Sequence, residues 1–573
     1  MCRLEFGDIL LIMNNKSKMR VVDFFCGAGG FSEGFRQQGF EIIMGVDKWQ
    51  PALDTHNLNH KLNDSLKDVL DFWKDDSSDT KDIDAIPNTE FIIGSPSCVS
   101  FSMSNKAGKA DKTQGIRLIE AYLRIIAVKK HQHNSILMGW YMENVPKSKD
   151  HIKIGYTFED LNLSKWARRN KINPKRIAVN IHGSIFNAGD YGAPQERKRY
   201  VVGEWIKTGE FIAPEKTHNH HIKSCDIRNK MPKPNATQKH KDWVDPNYPS
   251  LVLRTQEITD HFYDTGLYEI QWEKAEHLKI NHPFMGKMSF PENENRTCRT
   301  IMATRSAISR ESLIYKSEYN RHGNGEYRIP TIREIASLMG FPYAYQFVGS
   351  EGLKWKQIGN SVCPQMSAAL AKALRKKMEF SEIKLEKLDF SSLKENYTKV
   401  KNLNTFTEKQ FISPAKRKNN ARFRRHPFKI GNMTVDLMNY HPNLKDTIGK
   451  KWYVSVFFGT GDYSVIVLQK EDLKKIEKVL SSNFSKFLTF KKNISVKPYP
   501  SEHIQKIFEE DLLLNNKNNP LKVIKKMAKT IQTYDNCTKY IEVEDLFPRK
   551  KIPMAQLMAM YGLTSLYYRE IGL

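Results

Sequence analysis

The stretch Val21–Phe31, with the sequence VVDFFCGAGGF, decides the fold. An apolar run ends in a cluster of glycines, and the residues from Phe31 to Gln38 then have the pattern of a helix. In a strand–turn–helix unit, glycines let the backbone approach a nucleotide-like ligand closely, although a purely structural turn explains them about equally well. The stretch predicts the first unit of a doubly wound α/β sheet. Its candidate cofactor-binding residues are Asp23, Phe24, Gly27, Gly29 and Gly30.

Two acidic residues further along the chain favour a nucleotide-type cofactor. An apolar run over Glu41–Val46 predicts the second strand, and it ends at Asp47. A carboxylate at the end of a second strand can accept hydrogen bonds from ribose hydroxyls. We interpret Leu66–Val69 as the end of a third strand, where Asp68 would face the edge of an adenine. The glycine turn and the two acids together indicate an adenosine-cofactor site. Further candidates for this site are Lys48 and Val69.

A single thiol stands out in the run Ile92–Ser102, IIGSPSCVSFS. An apolar strand predicted over Glu90–Ile93 ends in a turn of Gly, Ser and Pro, which presents Cys98 where a substrate could reach it. A lone cysteine after a strand is more often inert packing, so the neighbouring motifs decide its role.

One carboxylate and two guanidinium groups follow this thiol along the chain. A strand predicted over Ile136–Met142 ends at Glu143, and Arg197 and Arg199 precede a strand predicted over Tyr200–Gly203. Taken alone, these three charged residues would form a surface ion-pair network more often than a catalytic site.

Five motifs in a fixed order resemble the DNA (cytosine-5)-methyltransferase family. They are Asp23–Gly30 (DFFCGAGG), Pro96–Cys98 (PSC), Glu143–Val145 (ENV), Gln195–Arg199 (QERKR) and Gly359–Val362 (GNSV). The resemblance covers roughly residues 19–206 and 296–378. It implies S-adenosylmethionine as cofactor, with Pro96, Asn360 and Val362 completing the pocket, and double-stranded DNA as partner.

The resemblance also implies a covalent mechanism that suits these residue types. Carbon 5 of cytosine is a poor nucleophile until a thiolate, here that of Cys98, adds to carbon 6. Glu143 would stabilise the adduct at ring nitrogen N3. Arg199 would hold Glu143 and the cytosine carbonyl, with Arg197 nearby, since a guanidinium makes planar, bidentate contacts. The target base must be flipped out of the duplex, and residues 99–114 fit either a loop that closes over DNA or an ordinary flexible loop.

Two departures from the family pattern leave other functions open. Ser97 stands where the family usually has proline, which restrains the backbone; Gln114 stands where arginine is frequent. A degenerate, non-catalytic homologue that binds DNA and cofactor is therefore an alternative, although Cys98, Glu143 and Arg199 are intact. RNA methylation is another, because one branch of the family acts on transfer RNA.

Composition agrees with a nucleic-acid enzyme. The chain has 573 residues, a net charge of +26 and a pI near 9.5, which suits a polyanionic partner. Seven scattered cysteines without CxxC pairs argue against a disulfide framework or a zinc site. No apolar run reaches the length of a membrane span. We therefore expect an intracellular protein without metal, in the cytoplasm or nucleoid if the host is a prokaryote. The resemblance implies a monomer, which is common among such enzymes.

Changes in composition predict five segments. Residues 1–18 are predicted to form a leader, either ordered or disordered. Residues 19–206 and 331–379 form the two parts of the catalytic domain. Between them, residues 207–330 form a target-recognition region that reads base edges, or a solvated insertion. Helices are predicted over Thr331–Met339 and Gln365–Lys377, the second packing on the side of the first strand.

The fifth segment, residues 380–573, lies outside the resemblance. It holds 35 Lys and Arg against 20 Asp and Glu, so it carries +15 of the net charge. The basic run Lys416–His426 is a phosphate-binding arm or a solvated linker. Strands over Trp452–Phe458 and Tyr463–Gln469 predict a hairpin. In Met554–Ile571, Tyr561-Gly562-Leu563 separates two helical patterns, which suggests a helix-turn-helix, although a plain helical hairpin is favoured.

We considered whether this basic segment is a fused nuclease. Asp436 and Asp462 are available as metal-binding carboxylates, but no clean partner set follows them in the sequence. An additional DNA-binding or specificity module is favoured over a bifunctional methylase-nuclease. The whole chain is interpreted as a cytosine-5 methylase of a restriction-modification system, a virus or a mobile element.

Overall fold

The computed structural model describes most of the chain. Its described residues are 18–74, 79–97, 112–236, 241–281, 286–397, 408–411, 417, 421–431, 433–458, 464–494, 500–512, 514–535, 537–543 and 551–567. The predicted leader up to residue 17, the thiol of Cys98 and the loop 99–111 lie outside the described residues. The chain divides into two compact units, Met1–Gln410 and Phe411–Leu573.

The first unit contains twelve described strands and eleven described α-helices. The strands are β1 (Arg20–Phe24), β2 (Glu41–Val46), β3 (Phe91–Gly94), β4 (Gly139–Asn144), β5 (Gly155–Thr157), β6 (Ile177–Asn180), β7 (His182–Asn187), β8 (Lys198–Trp205), β9 (Asp242–Val244), β10 (Val252–Arg254), β11 (Tyr315–Lys316) and β12 (Tyr327–Arg328). The helices are α1 (Gly30–Gln37), α2 (Gln50–His60), α3 (Lys81–Asp84), α4 (Lys112–His131), α5 (Ser164–Arg169), α6 (Ser224–Arg228), α7 (Glu269–Ile280), α8 (Ile332–Met339), α9 (Glu351–Asn360), α10 (Pro364–Lys377) and α11 (Ser391–Lys394).

A six-stranded sheet forms the centre of the first unit, in the order β2-β1-β3-β4-β8-β7. The pairs β1–β2, β1–β3 and β3–β4 are parallel, whereas β8 is antiparallel to both β4 and β7. The start of β8 therefore lies at the same edge of the sheet as the carboxyl ends of β1, β3 and β4. This mixed sheet, flanked by helices, confirms the predicted α/β methyltransferase core.

Alternating side chains of the strands supply two hydrophobic cores, as the two-residue period of a strand requires. Val21 and Ile93 contribute to the core that also contains Phe35 of α1, whereas Val22 and Ile92 contribute to the core that contains α4. Both sheet faces are covered because successive residues of these strands are apolar.

Several predicted elements are found with small shifts. β1, β2 and α1 lie within one residue of their predictions, and α8 begins after Thr331, whose side chain accepts a hydrogen bond from the Glu334 amide. α10 packs mainly on α1, the helix that follows β1. β4 begins at Gly139 rather than at Ile136.

The predicted third strand near Leu66 is wrong. Residues 62–68 have no regular structure, and a 3-10 helix follows over Val69–Phe72. Asp68 accepts a hydrogen bond from the Leu70 amide at 3.0 Å and so caps this 3-10 helix. The third strand in chain order is β3, which ends in the turn before Cys98.

A buried ion network ties residues 224–330 to α8. Arg328 is 1% exposed and donates to Glu318 and Glu334, while Arg228 contacts the same two carboxylates and Glu294. The Arg228 guanidinium also lies 3.7 Å from the centroid of the Tyr315 ring. That this region reads DNA stays a prediction.

We expect Arg328→Met to lower the free energy of unfolding of the first unit by about 3–5 kcal/mol, because it leaves buried carboxylates without a counter-ion. Arg305→Met is the matched control, since the Arg305–Glu351 pair is partly exposed and screened by solvent. Urea unfolding of both variants checks this prediction. Equal losses of unfolding free energy in the two variants would show that burial of the network contributes nothing to stability.

The first unit extends past the predicted boundary at residue 379. Phe390 packs on Tyr248 with ring centroids 5.2 Å apart, and the Asn396 side chain donates to the Leu58 carbonyl at 3.0 Å. Residues 380–397 are thus held by contacts within the first unit.

The second unit has its own core around an antiparallel sheet, in the order β13-β15-β16-β17 with β14 also pairing with β15. Its strands are β13 (Arg424–Arg425), β14 (Lys429–Ile430), β15 (Met433–Met438), β16 (Tyr453–Phe458), β17 (Ser464–Val467), β18 (Tyr540–Glu542) and β19 (Lys551–Pro553). Its helices are α12 (Lys470–Asn483), α13 (Phe487–Ile494), α14 (Ser501–Glu510), α15 (Pro520–Gln532) and α16 (Met554–Tyr567). The antiparallel pair β16–β17 confirms the predicted hairpin strands.

The helical hairpin predicted around Gly562 is wrong, and so is the helix-turn-helix. One continuous helix, α16, runs from Met554 to Tyr567 through Gly562. A Cβ at Gly562 would lie 2.6 Å from the terminal methyl carbon of Met527, so this glycine allows close helix packing rather than a turn. Among the described residues, no helix is long and apolar enough to cross a membrane.

Candidate active site

Glu143 lies at the edge of the central sheet where β4 ends and β8 begins. Its carboxylate is buried and has a partner on each oxygen: Arg199 Nε lies 2.7 Å from Oε1, and the Ser95 hydroxyl donates to Oε2 at 2.6 Å. Ser95 follows β3, and its amide donates to the Phe24 carbonyl at the end of β1. Three neighbouring strands therefore fix one carboxylate and one guanidinium at this edge.

The backbone that leads to Cys98 is also fixed here. The Asn144 side chain donates to the Pro96 carbonyl at 3.0 Å, and its own oxygen accepts from the Val145 amide at 2.8 Å. The thiol of Cys98 itself is outside the described residues. The described chain brings Pro96, two residues before it, into contact with the residue after Glu143.

Arg197 occupies a different environment from Arg199. Its guanidinium is buried and donates to three backbone carbonyls, of Ile301 at 3.3 Å, Gly359 at 3.0 Å and Ser361 at 2.9 Å. These contacts tie the start of β8 to the end of α9 and the residues that follow it, where Asn360 and Val362 lie. Arg197 thus lies where it can position the second part of the catalytic domain.

The glycine turn after β1 has the conformation that the sequence required. Gly27 and Gly29 have φ angles of 54° and 86°, which side chains disfavour. At Gly30 a Cβ would lie 2.1 Å from the Val362 carbonyl oxygen, so this glycine permits the close approach of the GNSV loop. The turn thereby brings the predicted residues Gly30 and Val362 together, although they are far apart in sequence.

The acidic residues near this turn keep free capacity to accept hydrogen bonds. Asp47 accepts from the Gly27 amide at 2.9 Å and the Trp49 amide at 2.8 Å, one on each oxygen. Lys48 Nζ lies 3.1 Å from an Asp68 oxygen. Because an ionised carboxylate has about four acceptor sites, both acids retain positions for ribose or amino-group donors. These acceptor groups fit an adenosine-containing cofactor.

Asp23 is fully buried at the end of β1, behind the glycine turn. One carboxylate oxygen accepts from the Ser32 hydroxyl at 2.6 Å, and the other has no partner among the described residues. The Ser32 hydroxyl also lies 3.0 Å from His56 Nε2. Burial raises the pKa of Asp23 to about 8. Phe24 and Val69, also predicted here, are buried core residues.

The structure adds Ser95 and Asn144 to the predicted site. Both contribute side-chain contacts to the elements around Glu143. Ser95 lies directly before Pro96 and Asn144 directly after Glu143, so adjacency to the two motifs is a signal that was available in the sequence. The predicted residue Asn360 is exposed at the end of α9.

Fold and site together define a class: an α/β enzyme whose sheet edge joins a cofactor-type glycine turn to a buried carboxylate–guanidinium pair. The model of the C-5 cytosine-specific DNA methylase family matches residues 19–376. The chain belongs to this family, and its enzyme class is DNA (cytosine-5)-methyltransferase.

Several curated proteins are similar over the same part of the chain. The type II methyltransferase M1.HphI of Haemophilus parahaemolyticus is 26% identical over 374 residues, which cover 62% of this chain and 86% of that protein. The type II methyltransferase M.MthTI of Methanothermobacter thermautotrophicus is 25% identical over 63% of this chain and 98% of that protein. The crystal structure of the S. pombe Dnmt2 methyltransferase matches with 17% identity and a TM-score of 0.41, covering 63% of this chain and 100% of that one.

Proposed function

We propose that the chain transfers a methyl group from S-adenosylmethionine to carbon 5 of a cytosine that is flipped out of double-stranded DNA. The observation that carries this proposal is the Glu143–Arg199–Ser95 cluster beside the Pro96 turn, which leads to Cys98. The names of the similar type II methyltransferases favour a modification enzyme that acts at one fixed DNA sequence.

Cys98 starts the reaction as a thiolate that forms a bond to carbon 6 of cytosine. The electrons of the C5–C6 double bond move toward carbon 5 and the N3 side of the ring, where the Glu143 carboxyl group stabilises them. Arg199 holds Glu143 in place and contacts the cytosine carbonyl. Once carbon 5 carries the methyl group, a base removes the proton from carbon 5, the C5–C6 double bond re-forms, and Cys98 leaves as a thiolate.

S-adenosylmethionine, when bound, would supply an electrophilic methyl group: carbon 5 forms a bond to this methyl as the methyl–sulfonium bond breaks, which leaves S-adenosylhomocysteine, a neutral thioether. The residues that would hold it are those of the glycine turn, Asp47, Asp68 and the Val362 loop. Asp47 would accept from the ribose hydroxyls and Asp68 from the adenine amino group. Arg197 positions the Val362 loop against Gly30 through its three carbonyl contacts.

Methyl transfer from labelled S-adenosylmethionine to unmethylated duplex DNA, followed by bisulfite sequencing of the product, tests this function. Protected cytosines in one fixed context would support the proposal and reveal the recognition sequence. Cofactor binding without transfer to DNA would contradict it, and would favour RNA methylation or a non-catalytic homologue. Ser97→Pro would then be the first variant to make.

We expect Ser95→Ala to lower kcat about 10-fold, because a hydrogen bond to a charged group contributes about 1.5–3 kcal/mol. The Km for DNA should stay unchanged, since Ser95 contacts Glu143 rather than substrate. Ser95→Thr retains the hydroxyl and is expected to restore most of the activity. Steady-state kinetics of both variants measure the effect; equal losses in Ser95→Ala and Ser95→Thr would assign the defect to packing instead.

A further inference from the structure

Helix α15 of the second unit (Pro520–Gln532) has four lysines on one face: Lys522, Lys525, Lys526 and Lys529. All four are exposed. With 3.6 residues per turn, these positions fall within an arc of about 100° and form a stripe about 10 Å long. We call this group the lysine stripe.

The opposite face of α15 anchors the helix in the core of the second unit. Ile524, Met527 and Ile531 are buried there, and Met527 is in contact with α16 at Gly562. At the helix start, the Asn519 side chain accepts from the Leu521 amide at 3.1 Å. The buried face therefore fixes the direction in which the lysine stripe points, which is toward solvent.

Within the described part of the second unit, the lysine stripe has no local counter-charge. α15 contains no acidic residue, and no described carboxylate lies within ion-pair distance of the four ammonium groups. On α12, by contrast, Lys474, Lys475 and Lys478 are interspersed with Glu471, Asp472 and Glu477. Like charges one turn apart destabilise a helix by about 0.2–0.5 kcal/mol per pair. A partner with negative charge would offset this cost.

The basic run around residues 416–426 is a weaker candidate for the same partner. Arg417 donates to the Phe508 carbonyl and its guanidinium lies 4.4 Å from the centroid of the Phe508 ring. Arg424 pairs with the buried Asp436 and stacks on Phe457. Contacts within the second unit thus already engage these guanidinium groups, whereas the lysine stripe is left for an external ligand.

We propose that the lysine stripe binds the sugar-phosphate backbone of duplex DNA, independently of sequence. This inference rests on the proposed function, in which duplex DNA is the substrate. Phosphates of one strand rise about 3.4 Å apart, so a stripe of about 10 Å spans roughly three of them. Lysine carries a compact point charge that suits phosphate oxygens, and phosphate contacts carry no sequence information. The second unit would therefore add non-specific affinity to the sequence-specific first unit.

The test uses the full chain and a fluorescein-labelled duplex of mixed sequence, so it requires neither the recognition sequence nor methyl transfer. Lys522, Lys525, Lys526 and Lys529 are changed together to Gln, which has a similar helix propensity. The matched control changes Lys474, Lys475 and Lys478 of α12 to Gln. Fluorescence anisotropy gives Kd over a series of NaCl concentrations, and circular dichroism checks that each variant is folded.

The stripe variant should weaken binding at least about 10-fold at low salt and reduce the slope of log K against log salt by about 3, since each released counter-ion contributes about 0.9. The α12 control should retain the wild-type slope within about 1. Equal slopes in the stripe variant and the control would overturn the proposal. The same anisotropy measurement is made with a fluorescein-labelled single-stranded RNA. If the stripe variant binds only this RNA more weakly and binds the duplex as the wild type does, the proposal is overturned as well. Because binding is measured without cofactor, an enzyme that fails to methylate DNA would still give a clear answer here.

Discussion

Cys98→Ala is expected to reduce methyl transfer at least about 10⁴-fold, to the background of the assay, because nothing else described in the site can add to carbon 6 of cytosine. DNA affinity should change little, since the side chain is small and the phosphate contacts come from other residues. Transfer of label from S-adenosylmethionine to DNA measures the first effect, and fluorescence anisotropy measures the second.

Cys225→Ala is the control for the loss of a thiol, because Cys225 is a partly exposed free cysteine in α6. It should retain wild-type turnover. DNA that carries 5-fluorocytosine offers a second readout: carbon 5 then has no proton to lose, so the adduct with Cys98 should persist and survive denaturing electrophoresis. Retained turnover in Cys98→Ala, or an adduct that still forms in that variant, would contradict the mechanism.

Local sequence patterns predicted the parts of the fold whose causes are local. β1, β2 and α1 follow from an apolar run, a glycine cluster and a helical pattern, all within Val21–Val46. α8 follows from its capping residue Thr331, with Glu334 three residues later. In these cases the residues that determine the element are the residues of the element itself.

Contacts between distant segments explain what local patterns missed. Gly562 looked like a turn, but its partner is Met527 on another helix. Arg197 stays a predicted catalytic residue, but its carbonyl partners lie 104 to 164 residues away in sequence and could not be assigned from its motif. For the basic run near residue 420, the sequence left a phosphate-binding arm and a solvated linker open. The contacts of Arg424 with Asp436 and of Arg417 with Phe508 could not be assigned from sequence.

The site residues also divide into those that sequence motifs predicted and those that depend on contacts between distant segments. The motif order placed Glu143 and Arg199 in one site, and the antiparallel register of β4 and β8 brings them within 2.7 Å. For Ser95, the position next to Pro96 was the one signal in the sequence, because a serine in a turn is common. Its role depends on the direction of its hydroxyl, which is fixed only when β1, β3 and β4 pair.

Glu143→Gln is expected to lower kcat by about 10²–10⁴-fold, the usual contribution of a positioned acid or base. Glutamine has the shape of glutamate but only one acceptor oxygen. It can accept from Arg199 Nε or from the Ser95 hydroxyl, but not from both in the present arrangement. It also cannot exchange a proton with ring nitrogen N3. The Km for DNA should change much less than kcat, since the lost interaction develops as the adduct forms.

Glu204→Gln is the matched control for this variant. Glu204 is also buried in the central sheet and pairs with Lys130 at 2.6 Å, but it lies at the opposite end of β8 from Arg199. Both variants should lose stability through a buried ion pair, whereas only Glu143→Gln should lose kcat. Steady-state methylation kinetics and thermal unfolding of the two variants separate these effects. If both lose stability and both retain kcat while Cys98→Ala is inactive, then Glu143 anchors Arg199 in the fold and another group stabilises the adduct at N3.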